Sequence, residues 1–156
     1  MPRKTTPTHV LLNQITLAAN TTAVTFSNID QSYSDLIVVW KASGSIDENL
    51  TPILNGSSSD FTWVQMTSGV SYGTGTNNSI GRVSTSTNFG YLRFFDYSAS
   101  DKNKSFLVRT EIPASELRQL SARWAQNSPI TSITLGIRTG GSFLSGGKFY
   151  LYGVYA

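Results

Sequence analysis

The sequence predicts an all-β protein, an antiparallel β-sandwich of about ten short strands with no significant helix. Three observations favour this class. Short apolar runs, alternating or β-branched, recur along the chain; turn-forming residues separate them at intervals typical of sandwiches; and no stretch shows convincing helical periodicity. Two packed sheets would give such a chain one core, and the architecture that we expect is a jelly roll.

The C-terminal segment, residues 148–156, is the clearest strand and the one around which we expect the fold to be organised. After Lys148 it shows apolar side chains on both faces. A strand with one face in water shows polar residues at every second position, so we expect both faces of this one to be covered. Two interpretations stay open, a core strand or a strand with one face on a neighbouring subunit. Gly153 predicts the close approach of a backbone or an aromatic ring.

The other strands are predicted from alternation and β-propensity, with apolar character on both faces in the run Leu-Ile-Val-Val-Trp-Lys-Ala. A half-exposed strand is expected over 118–126, where apolar and polar residues alternate. The full set lies at 9–17 (with a local irregularity), 24–29, 36–42, 50–54, 61–67, 80–84, 88–98, 106–112, 118–126, 130–137 and 148–156.

The connections are predicted from turn chemistry. Asn55-Gly56 is the strongest turn signal, and Pro52 just before it indicates a sheet edge or a bulge. Residues 68–88 are rich in Gly, Ser, Thr and Asn, which predicts a long surface loop around the short strand at 80–84. We expect a charged turn at 100–104 and at most one helical turn at 113–117.

Two regions are expected, an extended N-terminal arm at 1–8 and a single sandwich domain at 9–156. The arm contains Pro2, Arg3, Lys4 and Pro7 and no apolar side chain beyond Met1, so it cannot join a core. Either it is disordered, or it becomes ordered on a neighbouring subunit. The domain is of ordinary size for one core.

Composition excludes several classes of function. Only 13% of the 156 residues are charged and the net charge is +3, with no concentrated basic patch, so we expect no nucleic-acid partner. There are no cysteines. The apolar segment near the N-terminus is too short for a signal peptide or a membrane span, so we expect no membrane partner and synthesis in a cytoplasm without a Sec-type signal.

Catalytic groups are scarce. The only histidine, His9, borders the arm, and the carboxylates are scattered rather than paired, so we nominate no catalytic residue and expect no enzyme. No Gly-rich phosphate loop and no alternating acidic cluster is present, so we expect no cofactor and no metal.

Binding is the remaining class. Trp63 and Tyr72, beside or within the 68–88 segment, are candidate glycan contacts, because aromatic rings stack on sugars. For self-assembly the candidates are Tyr152 and Tyr155 in the terminal strand and the arm residues. The glycan candidates have a simpler alternative, partial burial at the rim of the sandwich.

Several short motifs occur in an order that resembles a group of small tailed-bacteriophage virion proteins. The resemblance covers nearly the whole chain after the arm, and the closing Leu-Tyr-Gly is its most specific part. Departures are Thr51, Pro52 and Ser57, where relatives often carry a charge. The motifs are Val24-Thr-Phe-Ser-Asn-Ile29 with Tyr33 and Leu36, Ile53-Leu-Asn-Gly56, Phe61-Thr-Trp63, Asp96-Tyr97, Arg123-Trp124, Ile130-Thr-Ser-Ile-Thr-Leu135 and Phe149-Tyr-Leu-Tyr-Gly-Val154.

The resemblance implies a jelly-roll-like sandwich, usually trimeric, located in the virion. The leading hypothesis is a capsid decoration (cement) protein that binds and stabilises the major capsid shell as an oligomer, with itself and the major capsid protein as partners. The alternative is a tail or fibre module, a receptor-binding or adaptor protein that recognises host-surface glycan and whose partner is a tail protein.

Overall fold

The computed structural model describes residues 8–68, 71–112 and 116–155, with the backbone alone at residues 71 and 72. Within these ranges the protein is an antiparallel β-sandwich of twelve strands and one short 3-10 turn, Arg138–Gly140. The predicted fold class is therefore confirmed, with two strands more than expected. None of the helical segments in the described ranges is long and apolar enough to cross a membrane.

The strands are β1 (His9–Thr16), β2 (Ala23–Phe26), β3 (Asp35–Ala42), β4 (Glu48–Leu54), β5 (Phe61–Thr67), β6 (Ser71–Gly75), β7 (Arg82–Val83), β8 (Asn88–Phe95), β9 (Lys104–Ile112), β10 (Glu116–Trp124), β11 (Ile133–Ile137) and β12 (Lys148–Val154).

Two sheets form the sandwich. The large sheet has eight strands in the order β1-β12-β3-β8-β9-β10-β5-β6, and the small sheet has four in the order β2-β11-β4-β7. The face of the large sheet that packs on the small sheet is called the inner face below, and the opposite one the outer face. The C-terminal strand β12 lies inside the large sheet, between β1 and β3, so its backbone hydrogen bonds are used on both sides.

The core lies between the two sheets, because alternate side chains of each strand point to it. In β3, for example, Leu36, Val38 and Trp40 are fully buried on the inner face. Their buried neighbours in the large sheet are Leu92, Phe94, Phe106, Val108, Leu120, Trp124, Phe149 and Leu151. The buried side chains that face them from the small sheet are Val24, Phe26, Leu50, Leu54, Ile133 and Leu135.

The terminal strand is covered on one face by its own chain. Phe149 and Leu151 are buried on the inner face, and a Cβ added at Gly153 would lie 2.4 Å from Cγ of Tyr33, so the expected close approach of a ring is confirmed. No element of the described chain covers the outer face, so its coverage by a neighbouring subunit stays a prediction. Tyr150 and Tyr152 are only half-buried there, because no described element packs over this face of the large sheet.

The Asn55-Gly56 turn is confirmed. Both residues have positive φ, 51° and 81°, as a two-residue type I′ hairpin requires. The flanking pair closes the turn, with Leu54 N to Ser57 O at 3.0 Å and Ser57 N to Leu54 O at 2.8 Å. The Asn55 side chain also joins this turn to the segment before β11, because its Oδ1 accepts from the amides of Thr131 (2.8 Å) and Ser132 (3.1 Å).

Replacing Asn55 with alanine is expected to lower the free energy of unfolding by about 2 kcal/mol, since alanine is unfavourable at positive φ and the side-chain hydrogen bonds are lost. Asn55→Gly keeps the backbone conformation and removes only the side-chain bonds, so about half of that loss is expected. Urea unfolding of the two variants measures both effects. Equal losses would show that backbone conformation contributes nothing here.

Pro52 lies at a local edge, as predicted. It pairs with Leu135 of β11 on one side, whereas β7 pairs with β4 only at Glu48 and Asn49. The Pro52 carbonyl accepts from Asn78 Nδ2 at 3.2 Å on the side away from β11. The missing N–H of proline therefore leaves no ladder hydrogen bond unmade.

Three other expectations need comment. The irregularity in β1 is confirmed as a register shift between Leu11 and Asn13. The loop over 68–88 is wrong as a single loop, because β6 forms a hairpin with β5; the short strand near Ile80 is confirmed as β7. The helical turn at 113–117 is wrong at Glu116 and Leu117, which begin β10, and residues 113–115 lie outside the described ranges.

The last residue of the charged turn predicted at 100–104, Lys104, belongs to a strand instead. Lys104 begins β9 on the inner face and is fully buried. Its ammonium donates to three backbone carbonyls, of Ala99 (2.6 Å), Lys102 (2.8 Å) and Asn127 (3.0 Å). One lysine thus connects the β8–β9 loop to the segment that follows β10.

Candidate assembly surface

The outer face of the large sheet is apolar although nothing in the described chain covers it. Six of the eight large, exposed hydrophobic residues of the described chain lie on it, so the exposure is concentrated rather than scattered. A contiguous exposed apolar area of this kind marks an interaction surface. The six are Leu11 (48% exposed), Val64 (52%), Met66 (40%), Phe89 (52%), Leu107 (43%) and Leu117 (38%).

Alternation along the strands explains how this face arises. In β5 the outward positions are Val64 and Met66, and in β9 Leu107 points outward between the buried Phe106 and Val108. Half-buried residues fill the space between these side chains. They are Val39 of β3, Tyr91 and Phe95 of β8, and Tyr150 and Tyr152 of β12, and Ile37 of β3 between them is buried.

A groove lies off-centre on this face, across β8, β9, β10 and β5. It has a volume of about 670 Å³. Its lining is mostly aliphatic, from Val64, Met66 and Leu107, with the ring of Tyr91 at one side. The polar groups that reach it include Arg109, Gln119 and Ser121.

The charges of the outer face are only partly paired. Arg93 donates from Nε (3.0 Å) and Nη2 (2.6 Å) to Oδ2 of Asp35, whose Oδ1 accepts from the amide of Asp96 at 3.1 Å. Hydrogen bonding to Asp35 raises the pKa of the Arg93 guanidinium. By contrast, Arg109 and Arg123 form no ion pair with any described residue.

Two cations lie over aromatic rings on the same face. The Lys41 ammonium is 5.6 Å from the centroid of the Phe89 ring, and the Arg93 guanidinium is 5.0 Å from that of Phe95. The first contact joins β3 to β8 and the second lies within β8, and both keep the apolar stems of the cations on the face.

The predicted assembly residues lie as follows. Tyr152 is on the outer face, its ring centroid 6.5 Å from that of Tyr150. Tyr155 follows the end of β12, is 44% exposed, and its ring lies 4.9 Å from that of Tyr33. The four arm residues, Pro2, Arg3, Lys4 and Pro7, lie outside the described ranges.

Of the two predicted glycan contacts, only Trp63 has a side chain within the described part of the chain. Its indole lies on the inner side of the sheet edge, where a Cβ added at Gly75 would come within 2.3 Å of it, and its Nε1 donates to Asn77 Oδ1 at 3.2 Å. Trp63 is therefore half-buried against its own chain, as the simpler alternative supposed. The backbone of Tyr72 pairs with Met66 in β6, and its side chain lies outside the described part of the chain.

A partly buried ionic cluster lies between the sheets rather than on the outer face. Glu116 contacts Arg82 (3.3 Å) and Arg118 (2.9 Å), and Arg118 also donates to Asn49 Oδ1 at 2.9 Å. Burial lowers the pKa of Arg118. Because the cluster joins β10 to β4 and β7, its role is structural. No group of three His, Cys, Asp or Glu side chains that could hold a metal occurs in the described ranges.

Sequence analysis missed most of this surface. The signal was present, since Val64 and Met66 alternate with Phe61, Trp63 and Gln65, which makes β5 apolar on both faces. What the pattern could not show is that β5, β9 and β8 lie near one another in a single sheet, with their second apolar faces on the same side.

No protein-family model and no curated protein matches this chain. Among solved structures, it is similar to galectin LEC-6 of Caenorhabditis elegans, at 11% identity and a TM-score of 0.38, over 92% of this chain and 96% of that one. It is also similar to the GH43 protein BlXynB of Bacillus licheniformis, at 10% identity and a TM-score of 0.37, over 85% of this chain and 32% of that one. A third similar structure is the PL-14 alginate lyase of Aplysia kurodai, at 10% identity and a TM-score of 0.28, over 79% of this chain and 71% of that one. Likenesses this distant carry no argument about function.

Proposed function

We propose that this protein is a structural virion protein of a tailed bacteriophage, a capsid decoration protein that binds the major capsid shell as an oligomer. The observation that supports an assembly role is the exposed apolar outer face of the large sheet. The virion assignment is supported by the motif order described in the sequence. No reaction is part of this proposal.

The chemistry of the groove favours a protein over a sugar as the occupant of this face. Sugar rings stack on flat aromatic faces and need several directed hydrogen bonds. Tyr91 adds one ring to the groove, and Arg109, Gln119 and Ser121 add polar groups, but most of the apolar lining, from Val64, Met66 and Leu107, offers neither. Aliphatic side chains next to an aromatic ring are instead typical of the core of a protein interface.

The predicted arm supplies the second part of the mechanism. Thr8, the first described residue, accepts a hydrogen bond from the amide of Tyr155 at 3.1 Å, so the chain leaves the sandwich beside the end of β12. The arm was predicted over residues 1–8; because Thr8 is paired with Tyr155, we assign the contact with the shell to residues 1–7, which carry Arg3 and Lys4 and no large apolar residue beyond Met1. The outer face then serves association between copies of the chain.

The copy number of this protein in purified virions, measured by quantitative mass spectrometry against the major capsid protein, tests the proposal. A number comparable with that of the major capsid protein is expected, because only the shell offers so many equivalent sites. A number many times smaller would indicate a tail or fibre component, and absence from the particle would contradict a virion role.

Deleting residues 2–7 is expected to weaken binding to purified shells by at least about 10-fold, since an arm that becomes ordered on the shell contributes contacts there. The deletion ends before Thr8, so its hydrogen bond with Tyr155 and the fold are retained. Co-sedimentation with shells measures binding, and thermal unfolding is the control. Unchanged binding would remove the arm from the mechanism.

A further inference from the structure

We infer that the outer face of the large sheet is covered by the outer face of a second copy of this chain, across a two-fold axis parallel to the strands between β8 and β9. This inference deepens the proposed function. It rests on that function because the assembly role is what requires a partner for this face. What it adds is the identity of that partner and the geometry of the contact.

The size of the face fits a stable dimer. With eight strands about 4.8 Å apart and about six residues of about 3.3 Å along each, the sheet presents an area of about 750 Å². Standard interfaces bury about 800 Å² on each partner. Two sheets packed face to face, about 10 Å apart, are an ordinary arrangement of β-structure.

The shape of the face is self-complementary. Tyr150 and Tyr152 lie on β12, the second strand from one edge, and the groove reaches β5, the second strand from the other edge. Residues that are cross-strand partners from one strand to the next form a row that runs across the sheet. Tyr152 is in the same row as Val64, and Tyr150 is in the same row as Met66. Rotation about the proposed axis exchanges β12 with β5 and keeps each row. The two tyrosines of each copy therefore lie against Val64 and Met66, which line the groove of the other.

The centre of the face fits the same axis. Tyr91 of β8 pairs with Arg109 of β9 in the register, directly beside the axis. The rotation places Arg109 over Tyr91 of the second copy, and the reverse contact forms at the same time. Arg109 has no ionic partner within its own described chain, and a cation over a tyrosine ring is favourable.

The remaining charges also fit. Arg123 of β10 shares a row with Asp35 of β3, and these strands are third from opposite edges, so the rotation brings Arg123 opposite Asp35 of the second copy. Lys41 comes opposite Leu117 by the same construction. Among the described residues no two cations of the face come opposite each other, so the contact carries no like-charge penalty.

Sedimentation equilibrium of the full chain over a range of concentrations tests the inference first. A monomer–dimer equilibrium is expected. Val64→Asp, which places a charge in the groove, is expected to weaken dimerisation by about 30-fold or more. Ile46→Asp is the matched control, since Ile46 is 39% exposed but lies off the outer face, and it should leave the equilibrium unchanged. A monomer at all concentrations, or a trimer, would overturn the inference.

Cross-linking tests the axis, because the chain has no cysteine of its own. Tyr152→Cys and Val64→Cys are made as separate variants and treated with a bismaleimide of about 10 Å reach. In the proposed dimer, position 152 of one copy faces position 64 of the other. The same position in the two copies is separated laterally by five strand spacings, about 24 Å. Cross-linked dimer is therefore expected in the mixture of the two variants and not in either alone. Efficient cross-linking of Tyr152→Cys by itself would exclude this axis.

These outcomes are separable from those of the proposed function. A chain that is monomeric in solution yet present on virions in shell-like numbers would contradict the inference and leave the decoration role standing. A dimer with the predicted cross-link, absent from virions, would contradict the decoration role and leave the interface standing.

Discussion

Replacing Gly90 with alanine is expected to lower the free energy of unfolding by about 3 kcal/mol, the upper range for overpacking a core. Gly90 lies on the inner face of β8, opposite Trp40 of β3. A Cβ at this position would lie 1.8 Å from Cζ2 and 1.9 Å from Cε2 of the Trp40 ring. The ring is fully buried among core side chains, so it cannot move aside without displacing them.

Urea unfolding, followed by tryptophan fluorescence, measures this loss. Gly73→Ala is the matched control, because it adds the same atom to a strand glycine beside an indole, but at 3.5 Å from Cζ3 of Trp63, an ordinary contact. Its effect should stay within about 1 kcal/mol, the scale of intrinsic strand preferences. If Gly90→Ala were as mild as Gly73→Ala, the close packing of Trp40 on β8 would be wrong.

Replacing Lys104 with methionine is expected to lower the free energy of unfolding by about 3 kcal/mol. Methionine fills a similar volume but donates no hydrogen bond, so the carbonyls of Ala99, Lys102 and Asn127 all lose a charged donor inside the protein. Each buried carbonyl left without a partner costs about 1–3 kcal/mol, and relief from burying the ammonium offsets part of the sum.

Lys102→Met is the control for this variant, made in the same loop. The Lys102 ammonium contacts Asp96 at 3.0 Å, but both side chains are more than half exposed. Exposed ion pairs contribute little, so stability should be unchanged within experimental error. Thermal unfolding of the pair separates the two cases, and equal stability of both variants would show that the carbonyl contacts of Lys104 contribute nothing.

Local chemistry was sufficient to predict many features correctly. Alternation predicted the half-exposed strand that is now β10, Asn55-Gly56 predicted a tight hairpin, and Pro52 predicted a local edge. Each of these signals concerns residues adjacent in the chain, whose conformational preferences are present before the sheets assemble. Gly153 belongs with them, although the ring that approaches it, Tyr33, is distant in sequence.

Features that depend on distant parts of the chain were predicted poorly. Lys104 follows a run of charged and polar residues and was expected in a turn, because the carbonyl of Asn127 that completes its coordination becomes a neighbour only after β9 and β10 pair. Trp63 was predicted in a strand, as a glycan contact or as a residue partly buried at the rim, and only the pairing of β5 with β6 brings Gly75 against its indole. Contacts of this kind have no local signal.

By itself, the sequence determined that this protein is an antiparallel all-β chain with a doubly apolar C-terminal strand, since alternation and turn chemistry are properties of short segments. Only the tertiary structure decided which apolar faces are covered. The strand order places the outward sides of β12, β8, β9 and β5 on one face of the large sheet and the small sheet on the other. Because a single small sheet can cover only one face, the second remains exposed as the candidate assembly surface.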